Sequence, residues 1–228
     1  MTDTPTAYRH RFTGPQAFVE RLHTLPVGKI LCVGQNYADH IAEMNSKRAP
    51  EPMLFIKTAI CACPMEAGFR VPTRWGSCHF ETEMSVLIDR PLIEASLEDA
   101  RSAIAAVGLA FDLTLRELQA QFKSQGHPWE KAKGFTGSAP LSHFVPPPPD
   151  VQNVDLRLYH NGQLRQQGNT RAMITPVAEL LAYASQFFQL NPGDVLLTGT
   201  PAGVGPLAVG DQLVCELGDW LRVQSQVR

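Results

Sequence analysis

The chain has no block of five basic residues, no apolar stretch near the ~18 residues a membrane-spanning helix needs, and no C-x-x-C pair. Each absence disfavours a class. A formal net charge of -2 without a basic block speaks against nucleic acid and anionic membrane as primary partners. The five cysteines (Cys32, Cys61, Cys63, Cys78 and Cys215) are odd in number, and Cys61-x-Cys63 alone is a poor zinc signature. They read as reduced thiols, used as small, mainly apolar residues in a cytoplasmic protein. Residues 1–5 lack the basic and apolar regions of a signal peptide, which fits the same compartment. The glycine-rich stretch 199–206 has neither the G-K-S/T of a Walker loop nor the G-x-G-x-x-G of a dinucleotide fingerprint. No internal repeat is visible.

What is present suits a globular domain. The 228 residues suffice for one sizeable domain or two small ones, and 44% are hydrophobic. Residues 1–28 are polar and irregular, with a short strand expected near 8–12 and a short helix near 15–22. Apolar runs predict buried strands at 29–33, 53–56 and 105–112. Helices are expected near 36–45, 97–103, 114–124 and 176–188, and loops with short strands over 58–77. The prolines at 146–149 read as a stiff surface crossing rather than a linker. Asn161-Gly162 between two alternating runs is a strong hairpin signal. Many short strands without regular βα alternation predict a β-rich α+β domain.

The most informative segment runs from His79 to Ile88. Read as a strand, it places Phe80, Thr82, Met84, Val86 and Ile88 on one face and His79, Glu81, Glu83 and Ser85 on the other. Both carboxylates then point the same way from backbone positions roughly 7 Å apart. Like charges that close repel unless a cation lies between them, and hard divalent cations prefer carboxylate oxygens. Two glutamates on a solvated strand face would give the same pattern. Asp112 ends a buried run, where a carboxylate is costly unless paired or coordinated; it equally fits a helix N-cap.

Three other features admit two readings each. His40 and Glu43 share a helix face, either as an oriented general base or as an ordinary surface pair. Lys133, in a loop-like stretch, can stabilise negative charge beside a bound cation or sit solvated. Residues 199–206 can cradle an anion on backbone N–H groups or simply turn.

Together the fragments resemble the fumarylacetoacetate hydrolase family. They are Val33-Gly34-Gln35-Asn36-Tyr37-Ala38-Asp39-His40 with Glu43, Pro52-Met53-Leu54-Phe55-Ile56-Lys57, and His79-x-Glu81-x-Glu83. Asp112-x-Thr114-x-Arg116-x-x-Gln119 and Pro128-Trp129-x-x-Ala132-Lys133-x-Phe135 follow. The series closes with Asn161-Gly162-x-x-Arg165-Gln166-x-Gly168-x-Thr170 and the run from Pro192 to Gly205. Their order over residues 29–225 carries the specificity, and the chain looks most like the small, single-domain bacterial members.

The resemblance implies a rolled, mixed β-structure of the fumarylacetoacetate hydrolase type with peripheral short helices, a short N-terminal segment (1–28) packed on one catalytic domain (29–228), and a homodimer. It implies that Glu81, Glu83 and Asp112 bind Mg²⁺ or Mn²⁺, that His40 with Glu43 activates water, and that Lys133 stabilises charge. It places Arg116, Gln119, Thr200, Gln35 and Lys57 around the substrate. Two departures stand out. Relatives commonly carry arginine at Gln35, and alanine at Leu115. The implied activity is metal-dependent hydrolysis of a C–C bond in an acylpyruvate. The alternatives are enol–keto tautomerisation or decarboxylation of oxaloacetate, isomerisation of an unsaturated 2-oxo diacid, or a silent binding scaffold.

Overall fold

The structure is a computed structural model that describes residues 7–228. Residues 1–6, which include the stretch read above for a signal, lie outside the described residues. The first strands are β1 (Ile30–Gly34), β2 (Met53–Lys57), β3 (Ala62–Pro64), β4 (Cys78–Phe80) and β5 (Thr82–Ile88). Then come β6 (Ile104–Phe111), β7 (Thr114–Leu115), β8 (Ala139–Leu141), β9 (Asp155–His160) and β10 (Gln163–Asn169). The last are β11 (Val195–Leu197), β12 (Gly205–Pro206), β13 (Gln212–Leu217) and β14 (Leu221–Gln226). The helices are α1 (Gln16–Leu22), α2 (Ala38–Glu43), α3 (Leu97–Ser102), α4 (Arg116–Gln125), α5 (Glu130–Lys133) and α6 (Val177–Ser185).

Among the described residues the strands form three sheets. The main one is mixed and seven-stranded, in the order β2-β1-β11-β5-β6-β8-β3. A four-stranded sheet runs β10-β9-β13-β14, and a small one runs β12-β4-β7. The main sheet is clothed on both faces, which is why its central strands read as unbroken apolar runs. Leu31, Val33, Met84, Val86, Val107 and Leu109 face a large core shared with α6 and the four-stranded sheet. Ile30, Cys32, Leu87, Ala106 and Ala110 face a second core closed by Leu22, Phe12 and Phe18 of the N-terminal segment.

The sequence reading needs four corrections. No strand spans 8–12; only Phe12 bridges to Phe144. The acidic strand is interrupted at Glu81: β4 belongs to the small sheet and β5 to the main one. The polypeptide stays extended but changes hydrogen-bonding partners there, so the alternation of side chains does not reveal the break. β5 is buried along its whole length, so the glutamates do not lie on a solvated face. Asp112 is not a helix cap, because two residues of β7 intervene and α4 begins at Arg116.

Candidate active site

The carboxylates meet through strand register. β5 and β6 pair antiparallel with Thr82 opposite Phe111 and Glu83 opposite Ala110. One residue further, the Asp112 N–H donates to the Glu81 carbonyl at 2.8 Å, which sets these two residues side by side. Glu81, Glu83 and Asp112 are all buried, and one oxygen of each lies within 4.8 Å of the others.

Three cationic side chains balance this cluster unevenly. Lys133 Nζ donates to Glu81 Oε2 at 2.7 Å and to Asp112 Oδ2 at 2.6 Å. Its ammonium also stands 5.2 Å from the centre of the Phe55 ring, a cation–π contact. Arg116 donates to Glu81 Oε1 at 2.5 Å and to Gln119 Oε1 at 2.9 Å. Lys57 is fully buried, with Nζ 2.7 Å from Asp112 Oδ1. It also donates to the carbonyls of Ser138 (2.8 Å) and Leu113 (3.3 Å), which fix the ammonium against Asp112. Glu83 pairs with none of these cations. Among the described residues it accepts the Gly199 N–H alone, at 2.5 Å.

The proton affinities follow. Burial raises Glu81, but Lys133, then Arg116, outweigh it and hold the carboxyl well below the usual range. Burial, reinforced by Asp112 and Glu81, pushes Glu83 well above that range. Burial also opposes charge on Lys133, but Asp112 and Glu81 overcome it and keep the ammonium form. An all-oxygen donor set drawn within 4.8 Å and a buried glutamate lacking a counter-charge together fit a hard divalent cation.

His40 lines the same cleft, with Glu43 beside it. His40 and Glu43 are on α2, with His40 Nδ1 3.1 Å from Glu43 Oε2. Glu43 Oε1 accepts the Gly203 N–H at 2.9 Å, which ties α2 to the glycine loop. That loop therefore anchors α2 through its N–H groups. A Cβ on Gly203 would fall 1.8 Å from the Arg165 carbonyl, and its φ is +100°. With Nδ1 bonded to a carboxylate, the imidazole carries its proton there and leaves the Nε2 lone pair to the cleft.

His40, Glu81, Glu83, Asp112, Arg116, Gln119, Lys133, Thr200 and Gln35 all line one cleft that is partly open to solvent. Lys57 does not. It stands behind Asp112, which corrects its expected place beside the substrate. Lys133 lies on the short helix α5 rather than in a solvated loop. Gln35 accepts the Ala49 N–H at 3.1 Å with φ of +61°, so its amide pins the segment after α2. The Thr200 hydroxyl is already engaged, donating to the Thr82 carbonyl at 2.8 Å and accepting from Gln166 at 2.7 Å.

Gln166 is a residue the sequence reading gave no role. Fully buried, it accepts the Thr82 N–H at 3.0 Å and donates to Thr200 and to the Pro201 carbonyl. It thus holds the break between β4 and β5 against the glycine loop. Its place in the Arg165-Gln166-x-Gly168 fragment was the available signal.

Fold and site together define a β-rich scaffold that gathers three carboxylates, a lysine and a histidine–glutamate pair in one cleft. The family model described as "Fumarylacetoacetate (FAA) hydrolase C-terminal" matches residues 29–228, and the chain belongs to that family. It is 51% identical over 191 residues to Oxaloacetate tautomerase YcgM of Escherichia coli (strain K12), covering 82% of this chain and 87% of that one. Oxaloacetate tautomerase FAHD1, mitochondrial, of Bos taurus is 40% identical over 200 residues, covering 87% and 90%. A crystal structure of fumarylpyruvate hydrolase from Pseudomonas aeruginosa in complex with Mn²⁺ and pyruvate superposes with a TM-score of 0.87 at 30% identity. That match covers 100% of this chain and 98% of the other. Among the described residues no helix is long and apolar enough to cross a membrane.

Proposed function

We propose that the protein is a metal-dependent enzyme that interconverts the enol and keto forms of oxaloacetate. The observation that carries this is the convergence of the three buried carboxylates with the His40–Glu43 pair on one cleft. The tautomerase names of the two relatives above favour this reading over C–C bond hydrolysis. Glu81, Glu83 and Asp112 would hold Mg²⁺ or Mn²⁺, which when bound supplies Lewis-acid stabilisation of negative charge on a 2-oxo acid.

The chain's own groups move the proton. His40 Nε2 takes the proton from the enol hydroxyl, and Glu43 stabilises the imidazolium that results. The C2–O bond gains double-bond character, the C2=C3 bond opens, and C3 receives the proton His40 gives back. One proton leaves oxygen and one arrives at carbon, so nothing else is consumed. Lys133 and Arg116 hold Glu81 ionised, Lys133 also fixes Asp112 in place, and Phe55 shields the Lys133 ammonium. Assembly as a homodimer belongs to this proposal, and light scattering on the purified protein tests it.

Hydrolysis is the second reading, favoured by the resemblance to the fumarylpyruvate hydrolase. The same His40 would then take a proton from water. Purified protein with Mg²⁺ is given enol oxaloacetate or acetylpyruvate, and enol absorbance is followed beside pyruvate release. Rapid enol loss without pyruvate supports tautomerisation. Pyruvate from acetylpyruvate, with enol loss no faster than the uncatalysed rate, would replace it with hydrolysis.

A further inference from the structure

Among the described residues, the lysines and arginine beside the carboxylates are already paired, while one lysine of the cleft is not. Lys133, Lys57 and Arg116 pair with Glu81 and Asp112. Lys123 lines the same cleft, yet the ion pairs of the described residues leave it without an anionic partner. Its position follows from helix geometry. Arg116, Gln119 and Lys123 on α4 are spaced i, i+3 and i+7, which puts them on one stripe, and all three line the cleft. Seven residues of rise separate the backbones of Arg116 and Lys123 by about 10 Å. Helical side chains lean back toward the N-terminus, so the lysine's stem points along the stripe toward the end that Arg116 occupies. Gln35, which also lines the cleft, is uncharged and bonded to the Ala49 N–H. Among the described residues, Lys123 therefore offers the cleft a positive charge that no carboxylate holds.

We propose that Lys123 is the specificity-determining residue that receives the distal carboxylate of a dicarboxylic 2-oxo acid. This rests on the reading of the cleft as a 2-oxo acid site and names the class it selects: dianions over monoanions. A mobile ammonium suits the task, because it can follow C3 as its geometry changes from trigonal to tetrahedral. Arg116 is fixed close to the carboxylates by Glu81 and Gln119, whereas Lys123 is not so held.

The test compares oxaloacetate with its 4-methyl ester, which differs by one charge at the distal end. Wild type, Lys123→Met and Lys123→Arg are assayed with saturating Mg²⁺, with Arg48→Met as a control. Arg48 lines a neighbouring hollow beside Gln35 and not the cleft itself. Lys123 is exposed on a helix, and Met and Arg are good helix formers, so the variants keep the fold. Lys123→Met should raise KM for oxaloacetate about tenfold, the worth of a charge-assisted contact, with little change in kcat. The ester should be unaffected, Lys123→Arg should restore most of the preference, and Arg48→Met should leave it intact. Equal losses for both compounds, or an unchanged preference in Lys123→Met, would overturn the assignment. So would a preference that falls in Arg48→Met instead. The same pair is titrated by calorimetry, which does not require turnover. If the wild type catalyses nothing, the tautomerase reading fails by itself. A dianion preference in binding that Lys123→Met removes would still support the lysine's role, and equal binding by both proteins would refute it.

Discussion

Glu81, Asp112, Arg116, Lys133 and Lys57 are held in mutual ion pairs, and replacing one partner exposes the other. Lys57 is the clearest instance. It contributes nothing to the cleft wall, but it is a full charge buried against Asp112. Lys57→Met should destabilise the protein by about 3 kcal/mol, because it strips a countercharge from a buried carboxylate. Denaturant unfolding reads this directly, and a loss within ~0.5 kcal/mol would mean Asp112 does not depend on it. His40→Ala should lower turnover by roughly 10²–10⁴-fold while metal affinity stays within a fewfold of wild type. Away from the cleft, His10 is buried between Phe144 and Tyr8, with Nε2 on the Gly193 carbonyl at 2.9 Å. Burial lowers its pKa from the ordinary imidazole value. The unfolded chain therefore binds the proton more readily. Stability from this site is fully present above about pH 6.5 and is lost as pH falls through the lowered folded value. His10→Phe should flatten that slope in melting temperature against pH; an unchanged slope would locate the titration elsewhere.

At the scale of elements, the glycine loop after β11 is the joint that sets the active geometry. Its Gly199 N–H holds Glu83, its Gly203 N–H holds Glu43, and its Thr200 and Pro201 receive Gln166. Gly203→Ala forces a Cβ onto the Arg165 carbonyl in a left-handed conformation. It should cost about 1–3 kcal/mol or more and weaken the Glu43 anchor. The check is a parallel loss of kcat and melting temperature, and intact kcat would show the anchor dispensable. Local signals made some of these elements legible. The Asn161-Gly162 turn has φ of 50° and 79°, as a primed hairpin turn requires, and β9 and β10 pair around it. Other elements left no local signal. Alternation is the same whichever sheet a strand joins, so the change of sheets at Glu81 could not be read. α5 spans one turn, too short for a periodic pattern. The burial of Lys57 depends on β2 lying against the Asp112–Ser138 region, a long-range contact that composition cannot convey.

The whole molecule folds around its charged centre rather than away from it. Two cores sandwich the main sheet, and the carboxylates emerge where β5 and β6 run out of apolar partners. The ordered motifs along the chain made this centre readable, because most of them contribute residues to the wall of the same cleft. What they did not convey was which positive charges were spent and which, like Lys123, were not. A cation bound at this centre binds only the folded state. At a hundredfold excess over Kd it adds about 2.7 kcal/mol, which raises the melting temperature by roughly 5–10 °C. Chelator should remove that increment, and Mg²⁺ or Mn²⁺ should restore it.

The most direct test of the cation site is a calorimetric Mn²⁺ titration of wild type, Glu83→Gln and His40→Ala. Wild type and His40→Ala should each bind one ion per chain with similar affinity. Glu83→Gln should lose more than the roughly 10–100-fold that changes outside the ligand shell cost. Equal Mn²⁺ affinity in Glu83→Gln and wild type would contradict the carboxylate site on which the proposed chemistry depends.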